Sequence, residues 1–221
     1  HSAEPETVGD STFLEKFKAG GKTMYLLVAL SVIALTFALE RFYNLRKSKI
    51  VPDDFAEEVL RLMQEEKYSE LEAECEKNQS TYSRIVSVIL AHRELDPATI
   101  GTLAGDTGTR EMKIYLMRAY PLAIVATLAP LLGLMGTVFG MIDSFDMVVF
   151  AGEMGNPRIL ASGISKALVT TAGGLVVAVP ALGLYHYFKA KTSMLGIKLE
   201  EKMSELISSC IIKKNNRESK A

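Results

Sequence analysis

Cysteine is scarce in this chain: Cys75 and Cys210 lie far apart and lack the short spacing of a metal site, so both read as inert reduced thiols. No basic stripe interleaved with aromatics accompanies the net charge of −1, which excludes a nucleic-acid surface. No constellation of a soluble enzyme is present either. The sequence has no paired carboxylates that place themselves in a pocket, no self-evident Ser/His/Asp order and no phosphate-cradling glycine loop, and it implies no cofactor. The most telling absence is of charge. From Tyr120 to Ile142 no acidic or basic residue occurs. At about 1.5 Å per residue this stretch makes roughly 35 Å of helix, enough to cross the hydrocarbon core of a bilayer.

What fills the uncharged stretch is equally informative. Gly133, Gly136, Thr137 and Gly140 place small residues three and four apart, so one flank can approach another backbone closely. Pro130 removes a backbone donor at mid-depth, and the hydroxyls of Thr127 and Thr137 are available nearby. A second uncharged span, Ala167 to Phe188, carries Thr170, Thr171, Gly173, Gly174, Ala178 and Ala181 on a comparable flank. A third, shorter one runs from Met24 to Leu39; snorkelling by Lys22 and Arg41, with interfacial Phe42 and Tyr43, extends it. The composition, 48% hydrophobic beside 23% charged, thus reflects segregation into three apolar blocks rather than one soluble core. The fold class is all-α, a polytopic membrane protein with three transmembrane helices.

Arg46, Lys47 and Lys49 follow the first span, Arg110, Lys113 and Arg118 precede the second, and Lys189 and Lys191 follow the third. By the positive-inside rule these ends are cytoplasmic and the N-terminus is periplasmic. Tyr115, Tyr120, Tyr185, Tyr187 and Phe188 form an aromatic belt at the same level, where His186 reads as interfacial. The expected organisation is a periplasmic tail with a short amphipathic helix (1–22, on Phe13, Leu14 and Phe17), a first span (23–40), a cytoplasmic helical domain (41–118), a second span (119–146), a periplasmic loop (147–163), a third span (164–188), and a cytoplasmic helix and tail (189–221). A polar stretch ahead of the first span must be exported, and a cleaved leader ahead of His1 is one route. In the cytoplasmic part Pro52 with Asp53 and Asp54, Ser69, and Asp96 before Pro97 signal helix starts. From about Thr109 the helical period runs into the second span without an obvious stop, which predicts one long helix projecting beyond the membrane.

The stretches APLLGLMGTVFGMIDSF at 129–145 and GISKALVTTAGGLVVAVPALGLYHYF at 163–188, with GGKTMYLLVALSVIALTFALERFYNLR at 20–46, closely resemble the three transmembrane helices of the ExbB/TolQ proton-channel proteins, relatives of MotA. The ExbB members are the nearest in character. The resemblance implies an inner-membrane, proton-driven motor subunit that assembles as a homopentamer around two copies of an ExbD/TolR-like one-span partner. Proton motive force would then do work on a TonB- or TolA-like periplasmic element. It further implies that Thr137 and Thr171 face the pore and that Gly133, Gly136, Gly140 and Pro180 serve helix packing; by their place on the same spans Thr170 joins the first group, and Gly174 and Pro130 the second. The cores of the spans contain no titratable group, so either waters beside the threonines pass protons or the partner's membrane aspartate carries them. A hydroxyl both donates and accepts, which suits a path along which a carboxyl changes charge. Where many members of the family have glutamate at the outer start of the third helix, this chain has Lys166, which either snorkels to the interface or pairs with Asp143 or the partner's carboxylate. The competing reading is a passive oligomeric scaffold that uses the glycines only for packing.

Overall fold

The computed structural model describes the backbone of residues 21–150 and 157–218; within these, the side chains of Lys22, of Phe150, and of residues 157–159 and 210–218 are not described. The amphipathic helix expected on Phe13, Leu14 and Phe17, the loop glycines Gly152 and Gly155, and the side chain of Cys210 therefore lie outside the described residues. Among the described residues there is no strand. Eight helices follow in order: α1 Gly21–Asn44, α2 Lys47–Ile50, α3 Asp53–Gln64, α4 Tyr68–Lys77, α5 Thr81–Ala91, α6 Pro97–Met117, α7 Tyr120–Phe150 and α8 Pro157–Glu218. Three apolar stretches, Thr23–Asn44, Pro97–Val149 and Leu160–Ser209, are long and apolar enough to cross a membrane. The chain is an all-α polytopic membrane protein.

Two compact units divide the residues, with α1 and α8 contributing to both: 1–37 with 121–184, and 38–120 with 185–221. In the first, α1 packs Met24 and Leu27 against Ala129 of α7 and Ala178 of α8. Gly173 makes room for this, since a Cβ there would meet Met24 Sδ at 3.3 Å.

The second unit is a helical domain around Val59, Leu62, Leu71, Tyr82, Ile85 and Ala104, joined by Leu195, Leu199, Met203 and Leu206 from one face of α8. Spacings of three and four put those α8 residues on one stripe. Gly108 of α6 sits where three helices meet, within 3.4 Å of Met203 Sδ and 3.5 Å of Ile85 Cδ1 as measured from a Cβ built there. Caps fix the helix starts: Ser80 Oγ accepts from the Ser83 amide at 3.1 Å, and Asp96 accepts from the Thr99 amide at 2.8 Å with Pro97 in the first turn. Arg84 of α5 donates to Glu111 of α6 at 2.5 Å. Cys75 is buried, its thiol pushed up by desolvation, as suits an inert thiol.

Several local expectations change. Ser69 is not a cap: α4 begins one residue earlier, at Tyr68, after Glu66 reverses the chain with φ of 63°. The first helix extends to Asn44, so the apolar stretch is 22 residues and needs no rescue by snorkelling. Arg41 in particular does not snorkel, because its side chain is 0% exposed, bonded to Glu40 at 2.5 and 2.6 Å and reaching the Tyr115 carbonyl of α6 at 3.4 Å. A guanidinium has five donors to satisfy, and here a carboxylate and a backbone oxygen meet part of that need away from water. Within the expected aromatic belt Phe188 is buried, edge-on to Phe42 at 5.0 Å and beside Tyr187 at 5.4 Å. Finally, the second span does extend into the helical domain as expected, over Pro97–Val149, with a two-residue turn at Arg118 and Ala119 between α6 and α7. Pro121 has no amide hydrogen to offer the Met117 carbonyl, and it stands in the first turn of α7, where that hydrogen is not needed. The Arg118 amide closes α6 on the Ile114 carbonyl at 3.1 Å, and the Ala119 amide takes Leu116 at 3.0 Å.

Candidate functional site

The site is built where α7 and α8 approach each other within the first unit. Gly174 faces Ala129 so closely that a Cβ on it would lie 2.6 Å from the Ala129 carbonyl and 3.2 Å from Gly133 Cα. From the other side, a Cβ on Gly133 would stand 3.0 Å from both the Thr170 carbonyl and Thr171 Cα. Backbone thus meets backbone at Gly133 and Gly174, and the contact continues outward through Gly140 against Ala167, where a Cβ would lie 3.2 Å from the alanine methyl. Further along, Gly163 lies against Ser144, whose hydroxyl donates to the Gly140 carbonyl at 2.6 Å. Small residues at helical spacing produce this geometry, because only they let two helix axes come so close. Pro130 and Pro180 both lie inside continuous helices.

Gly136 is surrounded by hydroxyls. A Cβ there would be 2.7 Å from Thr170 Oγ1 and 2.9 Å from Thr23 Oγ1, so all three helices meet at this point. Thr23 carries no sequence signal for this position, since nothing in the local period of α1 says that its hydroxyl meets a glycine on another helix.

The three candidate threonines separate clearly. Thr170, 2% exposed, gives its hydroxyl to the Ala167 carbonyl at 2.7 Å and lies 3.3 Å from the Gly133 carbonyl across the helix pair. Its proton is shared between a carbonyl of its own helix and, more weakly, one of α7, and its lone pairs stay available as acceptors. Thr137, 9% exposed, donates to the Leu134 carbonyl of its own helix at 2.6 Å, which leaves its lone pairs free. The third hydroxyl, Thr171 Oγ1, is buried and has no hydrogen-bond partner among the described residues. Buried polar groups are nearly always paired, and leaving one unmade costs about 1–3 kcal/mol. By contrast Thr127, exposed on the same helix as Thr137, bonds back to Ala123 and Ile124 at 3.1 and 2.9 Å in the ordinary way.

Of the two readings of Lys166, the pair with Asp143 is not among the ion pairs of the described residues. Lys166 and Asp143 are both exposed, and among the described residues neither makes an ion pair. Nor does Lys166 stand at a helix start: α8 begins at Pro157, so Lys166 lies more than two turns inside it, beyond the reach of the positive helix end.

The profile of the MotA/TolQ/ExbB proton channel family matches residues 87–201. A protein of Synechocystis sp. named biopolymer transport protein ExbB-like 1 is 33% identical over 175 residues, 78% of this chain and 69% of its own. A biopolymer transport protein ExbB homolog of Methanothermobacter thermautotrophicus is 32% identical over 183 residues, covering 81% of this chain and 64% of its own length. The Tol-Pal system protein TolQ of Pseudomonas aeruginosa is 39% identical over 74 residues, 34% of this chain and 32% of that one. The chain therefore spans about two thirds of the first two relatives.

Proposed function

Because the chain belongs to the MotA/TolQ/ExbB proton channel family, we propose that it is the ring-forming subunit of a proton-driven motor of the bacterial inner membrane. Five copies enclose two helices of an ExbD/TolR-like one-span partner, and proton flow does work on a TonB- or TolA-like periplasmic element. In this reading the partner supplies the titrating carboxyl, since the uncharged cores of the spans offer none. The threonine hydroxyls line its path, with Thr137 and Thr171 as the groups that meet the carboxyl in its two protonation states.

The observation that carries the reading is the buried hydroxyl of Thr171 without a hydrogen-bond partner among the described residues. A group that costs free energy to leave unpaired is accounted for if a shift of α7 against α8 admits a water or a carboxyl from outside the chain to complete it. The tight Gly133–Gly174 contact supports it as well, by fixing the backbone on which Thr171 stands. Thr170, whose hydroxyl reaches the Gly133 carbonyl of the facing helix, takes the part of an internal clamp rather than a pathway residue. The basic residues at the ends of the spans support a periplasmic N-terminus and a cytoplasmic C-terminus.

Thr171→Val keeps the volume and removes the hydroxyl, while Thr171→Ser keeps the hydroxyl. With the full complex in proteoliposomes, gradient-driven proton entry is expected to fall at least tenfold in the valine variant and to persist in the serine variant, with assembly intact in both. Wild-type flux in Thr171→Val would reduce Thr171 to packing and favour a passive scaffold.

A further inference from the structure

Some described cations of the second unit are paired with carboxylates: Arg41 with Glu40, Lys47 with Asp53, Arg61 with Glu58, Lys67 with Glu65, Lys77 with Glu74, Arg84 with Glu111 and Lys202 with Glu205. Arg46 and Lys49 are among those that have no such partner, and what sets these two apart is that they share one aromatic ring. Both are exposed, and neither makes an ion pair among the described residues. They are nevertheless held in place, since the Arg46 guanidinium lies 5.0 Å and the Lys49 ammonium 4.9 Å from the centroid of one ring, that of Tyr43. Lys49 is further steadied by the neutral acceptor Asn44 Oδ1 at 2.6 Å.

The surroundings indicate the ligand. Tyr43 is 62% exposed and Leu39, one turn earlier on the same face of α1, is 60% exposed. Along the end of an apolar span the surface thus runs from aliphatic to aromatic to doubly cationic, the order in which a phospholipid presents acyl chain, glycerol and phosphate. We propose that Tyr43, Arg46 and Lys49 form a binding site for the headgroup of an acidic phospholipid. The ring holds the two cations in position, the cations take the phosphate as charge-assisted donors, and Leu39 meets the acyl chain. A soluble acidic segment fits less well, because it offers nothing to the exposed Leu39. This inference needs only that the chain spans a membrane and is independent of the proposed proton path.

The test is a titration of the purified full chain in detergent with phosphatidylglycerol, phosphatidylcholine or inorganic phosphate, read by native mass spectrometry. Phosphatidylglycerol is expected to bind at least tenfold more tightly than phosphatidylcholine. At roughly fivefold per cation, Arg46→Gln with Lys49→Gln should weaken it about 25-fold. Arg46→Lys and Tyr43→Phe should retain binding and Tyr43→Leu should lose it, whereas Lys47→Gln, at a cation already paired, serves as the folded control and should bind as wild type. Equal affinity for the two lipids, binding within twofold of wild type in the double glutamine variant, or full displacement by millimolar inorganic phosphate would each overturn the proposal.

Discussion

Residues of one chemical kind take different parts according to what surrounds them. Thr170 and Thr171 are neighbours in sequence, yet one hydroxyl is committed to carbonyls and the other has none. The sequence made both visible as a hydroxylic pair but could not tell them apart, because the difference lies in which side of α8 meets Gly133. Glycines divide similarly. Gly174→Ala would press a methyl into the Ala129 carbonyl, and overpacking of this kind costs about 1–3 kcal/mol, to be seen as a lower apparent Tm in detergent. Gly105 has nothing within 4 Å of a built Cβ, so Gly105→Ala is expected to raise stability by up to about 1 kcal/mol through helix propensity alone. Asp96 adds a pH dependence. Its hydrogen bonds to Thr99 hold its carboxyl below the usual aspartate range. A depressed pKa means that the stabilisation is fully present above the ordinary value and is lost as pH falls through the folded one. Thermal unfolding of Asp96→Asn, which caps without charge, should lose this acid-range slope; an unchanged slope would assign it to other carboxylates.

At the level of helices, the apolar spans were legible because bilayer thickness demands long uncharged runs, and Pro97 after Asp96 announced α6 by cap chemistry that needs no tertiary partner. The break between α6 and α7 was also written locally, in Pro121, but the hydrophobic period across Thr109–Ala119 masked it. Pro121→Ala should let the ladder close: hydrogen exchange at residues 118–120 is expected to slow at least tenfold, and an unchanged rate would show that tertiary packing rather than proline sets the break. Arg41 was illegible for the opposite reason. A cation at the end of an apolar run normally reaches for water, and only the placement of Glu40 and the Tyr115 carbonyl in three dimensions makes burial tolerable. Lys166 was misplaced because the start of α8 at Pro157 lies earlier than the apolar run suggests.

For the whole molecule, family and fold agree: a proton-channel family member built from three long apolar helices and a helical domain. Exposed Leu131, Leu134, Val138 and Phe139 on α7, with Leu168, Leu175 and Val176 on α8, leave ample apolar surface for lipid and for neighbouring copies. Native mass spectrometry of the complex is expected to give five copies with two of a one-span partner, and a stable monomer or dimer would count against the ring. The central claim is that this chain supplies the hydroxyl-lined path and the partner supplies the titrating carboxyl. Proton entry into proteoliposomes under an imposed gradient tests it most directly, comparing the chain alone, the complex, and the complex with its partner's membrane aspartate changed to asparagine. Conduction by the intact complex only is the predicted result; equal conduction by the chain alone, or by the asparagine complex, would contradict it.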